Sequence, residues 1–120
     1  MDINKTLKEL KQLPGFAENV GMMLVHNGVV RGWARSDHAT VEKIIITAKW
    51  DRIEEIRAEM ESRPGIFKVL VDVEEGERKP GDDVLFLVVA GDIRENVKAT
   101  FAELLDMVKA EGLVKQEYTE

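Results

Sequence analysis

Apolar residues recur every three or four positions in three segments of the chain and alternate or form runs in four others. Helical spacing places apolar side chains on one stripe of a helix, and alternation or a short apolar run is typical of a strand. The helical patterns occupy residues 2–13, the residues between Asp51 and Pro64, and residues 94–111. The strand patterns occupy residues 21–31, 41–50, 66–73 and 84–90. The predicted order is therefore helix, strand, strand, helix, strand, strand, helix and a tail.

Turn and capping residues separate these segments. Asp51 is predicted to cap the second helix of the chain, and Gly112 is predicted to end the last helix. Residues 66–73 and 84–90 are predicted to form a hairpin, and residues 31–38 a mobile loop. The pattern predicts one α+β domain over residues 1–120, with two long helices on one face of a mostly antiparallel sheet.

Three consecutive isoleucines, Ile44 to Ile46, stand in the second predicted strand. A continuous apolar run is typical of a strand that is buried on both faces. We therefore expect both faces of residues 41–50 to be covered. The tail after Gly112 mixes Leu113, Val114 and Tyr118 with charged residues, so it is predicted to be an edge strand or an arm that packs on a partner.

Composition excludes several classes of function. The 120 residues contain no cysteine, so a disulfide framework, a thiolate nucleophile and a Cys-ligated metal site are impossible. A net charge of −6 argues against a nucleic-acid-binding surface. His26 and His38 lie in different contexts, so no metal site is predicted and neither histidine is assigned a role. A charged N-terminus and short apolar runs predict a cytoplasmic protein without a signal peptide or membrane span.

Basic residues near the C-terminus are the sharpest candidates for chemistry. Lys109 falls in the last turn of the last helix, and Lys115 follows Gly112, where the chain can fold back. Two amines could therefore share one pocket, although a lysine at a helix end also simply complements the helix dipole. Arg31 follows a strand end and Arg94 stands at a strand-to-helix break. Both are candidate anion clamps, and pairing with a neighbouring carboxylate is the ordinary alternative.

The order of these residues resembles the large, catalytic subunit of molybdopterin synthase. That family has a Gly-x-x-x-Pro-Gly-Asp-like turn, an apolar strand leading to a His-Arg pair, a helix ending in Lys, and a tail with a second Lys. An upstream Gly-apolar strand ends in Gly-x-Val-Arg. The resemblance covers residues 21–118 and leaves the N-terminal helix outside. The counterparts in this chain are Gly21 to Val25, Gly28 to Arg31, Gly76, Pro80-Gly81-Asp82, Arg94, Asp106, Lys109 and Lys115-Gln116-Glu117.

The resemblance implies a hammerhead-like α+β fold and a homodimer within a heterotetramer. The implied partner is a small ubiquitin-like sulfur-carrier subunit, which delivers sulfur as a C-terminal thiocarboxylate. The implied reaction transfers that sulfur to cyclic pyranopterin monophosphate, a phosphorylated pterin precursor, and forms molybdopterin for molybdenum cofactor biosynthesis. Lys109 and Lys115 are then the catalytic residues, and Arg31 and Arg94 bind the substrate phosphate or the carrier's tail. No metal or organic cofactor is implied.

Departures from the family pattern support an alternative. Ile93 stands where the family has a histidine before Arg94, and Val73-Glu74 stands where an earlier His-Arg pair is usual. An isoleucine cannot replace the hydrogen bond of a polar donor at a pocket lip. A catalytically inactive paralogue that acts as a dimeric binding or scaffold protein would show such changes. A small regulatory ligand-binding α+β domain unrelated to the family is a third hypothesis.

Overall fold

The computed structural model describes residues 1–120 and has the predicted order of elements, with one additional short strand. Helical residues are α1 (Ile3–Lys11), α2 (Phe16–Asn19), α3 (Trp50–Glu61) and α4 (Arg94–Met107), and a π turn (Val108–Gly112) follows α4 directly. The strands are β1 (Met22–Val29), β2 (Val41–Ala48), β3 (Ile66–Val73), β4 (Gly76–Arg78), β5 (Asp83–Gly91) and β6 (Leu113–Thr119). The α+β class is confirmed.

The strands form two antiparallel sheets of three strands each. One sheet has the order β1-β5-β3 and the other has the order β4-β2-β6. The predicted pairing of residues 66–73 with 84–90 is confirmed, since β3 lies antiparallel to β5. The connection between them is not a simple turn, because Gly76, with φ of 97°, redirects the chain so that β4 pairs with β2. The segment between the two strands of the predicted hairpin therefore adds a strand to the second sheet.

Burial on both faces belongs to β5 and not to β2. Every residue from Val84 to Gly91 is buried, and β5 is the central strand of its sheet, with α4 packed against one face. In β2, Ile44 and Ile46 are buried, Ile45 is only half-buried and Thr47 is exposed. The prediction that residues 41–50 are covered on both faces is therefore wrong, because the side chains that alternate with Ile44 and Ile46 remain half-buried or exposed.

The two long helices pack side by side against the first sheet. Helix α3 contacts β3, and α4 contacts β5 and β1. Apolar side chains at helical spacing supply this interface, and they are buried in one continuous core. The core residues from the helices are Ile53, Ile56, Met60, Val97, Leu104 and, from the π turn, Val108.

The start of α3 differs from the prediction in its capping residue. Lys49 is the N-cap, and Asp51 lies within the first turn. The Lys49 backbone N–H donates to the Gly112 carbonyl at 2.8 Å, and the Ile53 N–H donates to the Lys49 carbonyl at 2.9 Å. The helix therefore begins earlier than predicted, and the backbone of its N-cap is bound to Gly112. Asp51 can still complement the positive end of the helix dipole.

At the N-terminus, α1 is capped by Asp2, whose carboxylate accepts from the Lys5 backbone N–H at 3.1 Å. The N-terminal ammonium lies 3.3 Å from both Asp72 and Glu74, so it ties this segment to the end of β3. None of the helices combines the length and apolar character needed to cross a membrane.

Candidate functional site

A cavity of about 770 Å³ opens where the two sheets meet. The end of β1 and the start of β5 form one wall, β2 and β6 form another, and the loop after β1 and the π turn close the sides. Its lining is Gly28, Val29, Val30, Arg31, Trp33, Arg35, Ser36, Ile44, Ile46, Val84, Leu85, Lys109, Leu113, Lys115 and Glu117.

The structure brings three of the four predicted site residues to this cavity. Arg31, Lys109 and Lys115 all line it. Lys109 lies in the π turn, and Lys115 lies in β6, opposite Ile46 of β2. The last helix ends at Gly112, as predicted. The chain reverses there through a π turn, which the spacing of apolar residues does not reveal. Such turns insert an extra residue into a helix and are frequent at functional sites.

Gly112 is required at this reversal because of its close contact with α3. A Cβ atom at position 112 would lie 2.7 Å from Cγ1 of Ile53, which is 2% exposed. The Gly112 carbonyl also accepts the hydrogen bond from Lys49. These two contacts set the path of the chain between Lys109 and Lys115.

Arg31 is held by the loop that follows β1. Its Nε donates to the Trp33 carbonyl at 3.0 Å, and its guanidinium carbon lies 4.2 Å from the centroid of the Trp33 ring. Trp33 in turn stacks on His38, with ring centroids 4.6 Å apart. Arg31 has no carboxylate within ion-pair distance, so its remaining N–H groups are available to an anion.

Residues 31–40 form a loop that several backbone hydrogen bonds hold together, whereas residues 31–38 are predicted to be a mobile loop. Trp33 and Thr40 form an isolated antiparallel bridge. Inside it, the Ala34 N–H donates to the Ala39 carbonyl and the His38 N–H donates to the Ala34 carbonyl, each at 2.8 Å. His38 adopts a positive φ of 60° at the tip. The loop thereby forms a closed turn that holds Trp33, which is 43% exposed, beside the cavity.

Arg94 does not line the cavity. In the first sheet, Met22 pairs with Gly91 at one end and Val29 with Asp83 at the other, and the cavity lies at the second end. Arg94 follows Gly91 at the first end, so roughly 20 Å of strand separate it from Arg31. Its side chain is 78% exposed and its Nε lies 3.5 Å from Glu95.

The cavity carries an excess of positive charge although the whole chain is acidic. Arg31, Arg35, Lys109 and Lys115 oppose one carboxylate, that of Glu117. Glu117 lies 3.7 Å from the Lys115 amine and neutralises part of this charge. Several cations that converge on one cavity can bind a small anion whatever the net charge of the protein.

The imidazole of His26 packs against Gly28, a residue that lines the cavity. It projects from β1 on the same face as Gly28, two positions further along, and Gly28 lines the cavity. The His26 pKa is lowered from its ordinary value, first by burial of the imidazole and second by the positive charge of Lys109. His26 itself does not line the cavity, and the alternation of side chains counted back from Gly28 places it only on the same face of β1.

Comparisons with known proteins give one consistent relationship. A family model described as MoaE protein matches residues 1–111. A comparison with curated protein sequences gives no match. The family match includes the N-terminal helix, which the resemblance over residues 21–118 left outside, and it ends before Lys115.

Solved structures with the same fold are molybdenum cofactor proteins. The molybdopterin synthase structure from Staphylococcus aureus is 16% identical, with a TM-score of 0.79, and the alignment covers 100% of this chain and 86% of that chain. Protein E of molybdopterin cofactor biosynthesis from Burkholderia multivorans is 22% identical, with a TM-score of 0.75 and coverage of 100% and 82%. A protein-protein complex of subunits 1 and 2 of molybdopterin-converting factor from Helicobacter pylori contains a chain that is 16% identical, with a TM-score of 0.72 and coverage of 100% and 80%.

Proposed function

Because the chain belongs to the MoaE protein family, we propose that it is the large subunit of a cytoplasmic molybdopterin synthase and acts in molybdenum cofactor biosynthesis. In this reaction, sulfur passes from the thiocarboxylate of a small carrier subunit to cyclic pyranopterin monophosphate. The observation that carries the proposal is the convergence of Arg31, Lys109 and Lys115 on one cavity. Family membership and the molybdopterin synthase neighbours do not favour the inactive-scaffold alternative.

The cavity suits the chemistry of both reactants. A cavity of about 770 Å³ is within the range of small-ligand sites, and it combines apolar walls with a few converging cations. The apolar lining can contact the fused rings of a pterin, and a guanidinium matches the geometry of a phosphate or carboxylate. Arg31, which has no carboxylate partner, is the proposed ligand for the substrate phosphate or the carrier's tail.

The two lysines are proposed to act at the sulfur that is transferred. One ammonium stabilises the negative charge that develops when the thiocarboxylate is attacked, or holds the acyl group of the carrier, and the other amine transfers protons. Lys109 and Lys115 approach the cavity from different elements, the π turn and β6. They can therefore contact a reacting group from two sides.

The partner we propose is a small carrier subunit, and the H. pylori neighbour, a complex of two subunits, supports this. We further propose a homodimer within a heterotetramer, with Arg94 contributed by the second copy. An arginine side chain cannot bridge the roughly 20 Å that separates Arg94 from the cavity along β1. A second copy is the route by which Arg94 could reach the site.

Reconstitution tests the proposal. The protein is incubated with a thiocarboxylated carrier and the pterin precursor, and molybdopterin is measured after oxidation to a fluorescent derivative. Wild type is expected to form product, and Lys109→Ala and Lys115→Ala are expected to lose at least about 100-fold in rate. Lys98→Ala is the matched control, because Lys98 is an exposed lysine of α4 outside the cavity. A wild type that binds the carrier but forms no product would establish the inactive-scaffold alternative.

Mixed dimers test the proposed place of Arg94. In a dimer of one Lys109→Ala copy and one Arg94→Ala copy, one site would combine an intact Lys109 with the intact Arg94 of the other copy. We therefore expect mixing the two inactive variants to restore activity. If Arg94 served only its own chain, both sites of the mixed dimer would lack a residue and activity would not return.

A further inference from the structure

Trp33 is an exposed aromatic residue on a fixed stretch of backbone beside the cavity. Its side chain is 43% exposed and lines the cavity. The residues around it are anchored, because Val30 and Ala34 are 5% and 3% exposed and belong to the core. The backbone of Trp33 also pairs with Thr40 in an antiparallel bridge. The position of the indole is therefore set by the fold, although most exposed side chains of loops are free to move.

The indole contacts two side chains of its own loop. The guanidinium carbon of Arg31 lies 4.2 Å from the centroid of the Trp33 ring, which is a cation–π contact. The His38 ring stacks on the indole with an angle of 15° between the two planes. His38 adopts a φ of 60°, which is uncommon for a residue other than glycine. A strained backbone of this kind persists only where the surrounding structure holds it.

The contacts of Arg31 leave a defined set of donors unused. A guanidinium has five N–H groups, and the Nε group of Arg31 donates to the Trp33 carbonyl at 3.0 Å. Its Nη1 and Nη2 groups have no hydrogen-bond partner in the chain. By contrast, Nη groups of Arg52 and Arg57 lie within 3.0 Å of carboxylates. The unused end of Arg31 carries two parallel N–H groups, whose spacing matches two oxygens of one phosphate or carboxylate.

We propose that Trp33 is a positioning residue for Arg31, and that its ring and its carbonyl hold the guanidinium so that Nη1 and Nη2 bind an anion in the cavity. The ligand is a group with two anionic oxygens, which is either the phosphate of the pterin precursor or the C-terminal carboxylate of the carrier. This inference deepens the proposed function and rests on it, since it assigns a role to Trp33 in the anion site of Arg31.

The physical advantage is preorganisation. A free arginine side chain has many rotamers, and ordering them on binding weakens the affinity for a ligand. The stacked ring and the Nε hydrogen bond restrict Arg31 before an anion arrives. The apolar ring beside the guanidinium also displaces water that would compete with the anion. Removing the ring while keeping the backbone carbonyl is therefore expected to weaken anion binding.

Anion titrations test the inference without carrier or pterin. Methyl phosphate and acetate are added in separate titrations to the full-length protein at fixed ionic strength, and binding is followed by NMR through the backbone amides of Lys109 and Lys115. In Trp33→Leu we expect the dissociation constant of at least one probe to rise about tenfold. Trp33→Phe keeps an aromatic ring and is expected to stay within about threefold of wild type. The probe that depends on Trp33 identifies the source of the anion, and a dependence of neither would overturn the proposal.

Trp50→Leu is the matched control. Trp50 is also 43% exposed, but it lies outside the cavity at the start of α3. Its replacement removes the same indole from the surface, so it reports any general effect of losing a tryptophan. The dissociation constants of both probes are expected to equal those of wild type. A loss equal to that in Trp33→Leu would overturn the proposal.

A double-mutant cycle separates positioning from a general effect on the loop. If Trp33 acts through Arg31, Trp33→Leu has little further effect on affinity in an Arg31→Gln background. Lys109 and Lys115 remain in the cavity to keep binding measurable. An equal loss from Trp33→Leu in both backgrounds would mean that Trp33 acts independently of Arg31, and it would overturn the proposal.

A measurement on the wild-type protein keeps the inference testable if Trp33→Leu fails to fold. The side-chain protons of Arg31 beside the indole are expected to show an upfield ring-current shift in NMR, and the Nε proton is expected to exchange slowly with water. Chemical shifts and exchange typical of a free arginine would overturn the proposal. Because no experiment here uses the sulfur-transfer reaction, a negative result is distinct from failure to form molybdopterin.

Discussion

Replacing Gly112 by alanine is expected to destabilise the fold by about 1–2 kcal/mol, because the new methyl group overlaps a buried side chain. The ideal Cβ position is 2.7 Å from Cγ1 of Ile53, whereas its distances to Cδ1 of Ile53 and Cγ1 of Val108 are ordinary contacts of 3.5 and 3.6 Å. Ile53 is 2% exposed and lies within the core, so it cannot turn away into solvent. The chain at the π turn or the start of α3 must therefore shift.

The magnitude is the difference of two effects. Overpacking a core costs about 1–3 kcal/mol. Replacing glycine by alanine at an ordinary φ stabilises by about 0.4–1 kcal/mol through the unfolded chain. Gly112 has no positive φ, so this second effect applies and offsets part of the first.

Gly32→Ala is the matched control. Gly32 also lacks a positive φ, and a Cβ atom there would have no neighbour within 4 Å. Only the favourable effect on the unfolded chain remains, so the control is expected to be neutral or slightly stabilised. Urea unfolding at one fixed protein concentration, followed by tryptophan fluorescence, measures both variants.

A double-mutant cycle identifies the contact. In an Ile53→Ala background the overlapping Cγ1 atom is absent, and Gly112→Ala is expected to be neutral or stabilising there. If Gly112→Ala and Gly32→Ala have the same effect in the wild-type background, the packing explanation for the reversal between Lys109 and Lys115 is wrong.

Three further predictions follow from local contacts. The His26 pKa is lowered in the folded protein, so below about pH 6.5 the unfolded chain binds a proton that the folded protein does not. The free energy of unfolding is therefore expected to fall as pH decreases through this range. In urea titrations, His26→Phe should weaken this pH dependence. Glu75 accepts hydrogen bonds from the Ala48 N–H at 2.8 Å and from Trp50 Nε1 at 3.2 Å, and these bonds lower the Glu75 pKa. The stability that the Glu75 carboxylate contributes is therefore present above its pKa in the unfolded chain and is lost as pH falls through its pKa in the folded protein. In Glu75→Gln the acid-induced change in Trp50 fluorescence should disappear. Gly65→Ala should destabilise the fold by more than about 1 kcal/mol in urea unfolding. Gly65 has φ of 81°, and an added Cβ atom would collide with Asp92. Wild-type stability in this variant would contradict the assigned backbone strain.

Several features of the candidate site were predictable because they are local in the chain. Lys109 and Lys115 are separated only by the helix end at Gly112 and the start of the following segment, so the sequence placed both at one end of the last helix. The position of Arg31 at a strand end follows from the apolar pattern before it and the polar loop after it. These inferences use only spacings of a few residues, where backbone geometry dictates proximity.

Features that join distant segments were not predictable in the same way. β4 has three residues and no periodicity of its own, and it becomes a strand only because β2 offers it hydrogen-bonding partners. The three isoleucines of β2 predicted burial on both faces, but burial depends on which strand the helices cover, and that strand is β5. His26 showed no signal, because the burial of a lone histidine in a strand depends on packing that the strand pattern does not specify.

The sequence by itself determined the type and order of the elements and placed both lysines near the end of the last helix, since hydrophobic periodicity and turn chemistry act over a few residues. The tertiary structure alone decided that the strands divide into two sheets, that Arg31 meets both lysines in a cavity between them, and that Arg94 lies at the opposite end of the first sheet. The physical reason is that strand pairing and core packing join residues far apart in the chain, and their energies depend on partners that no local pattern specifies.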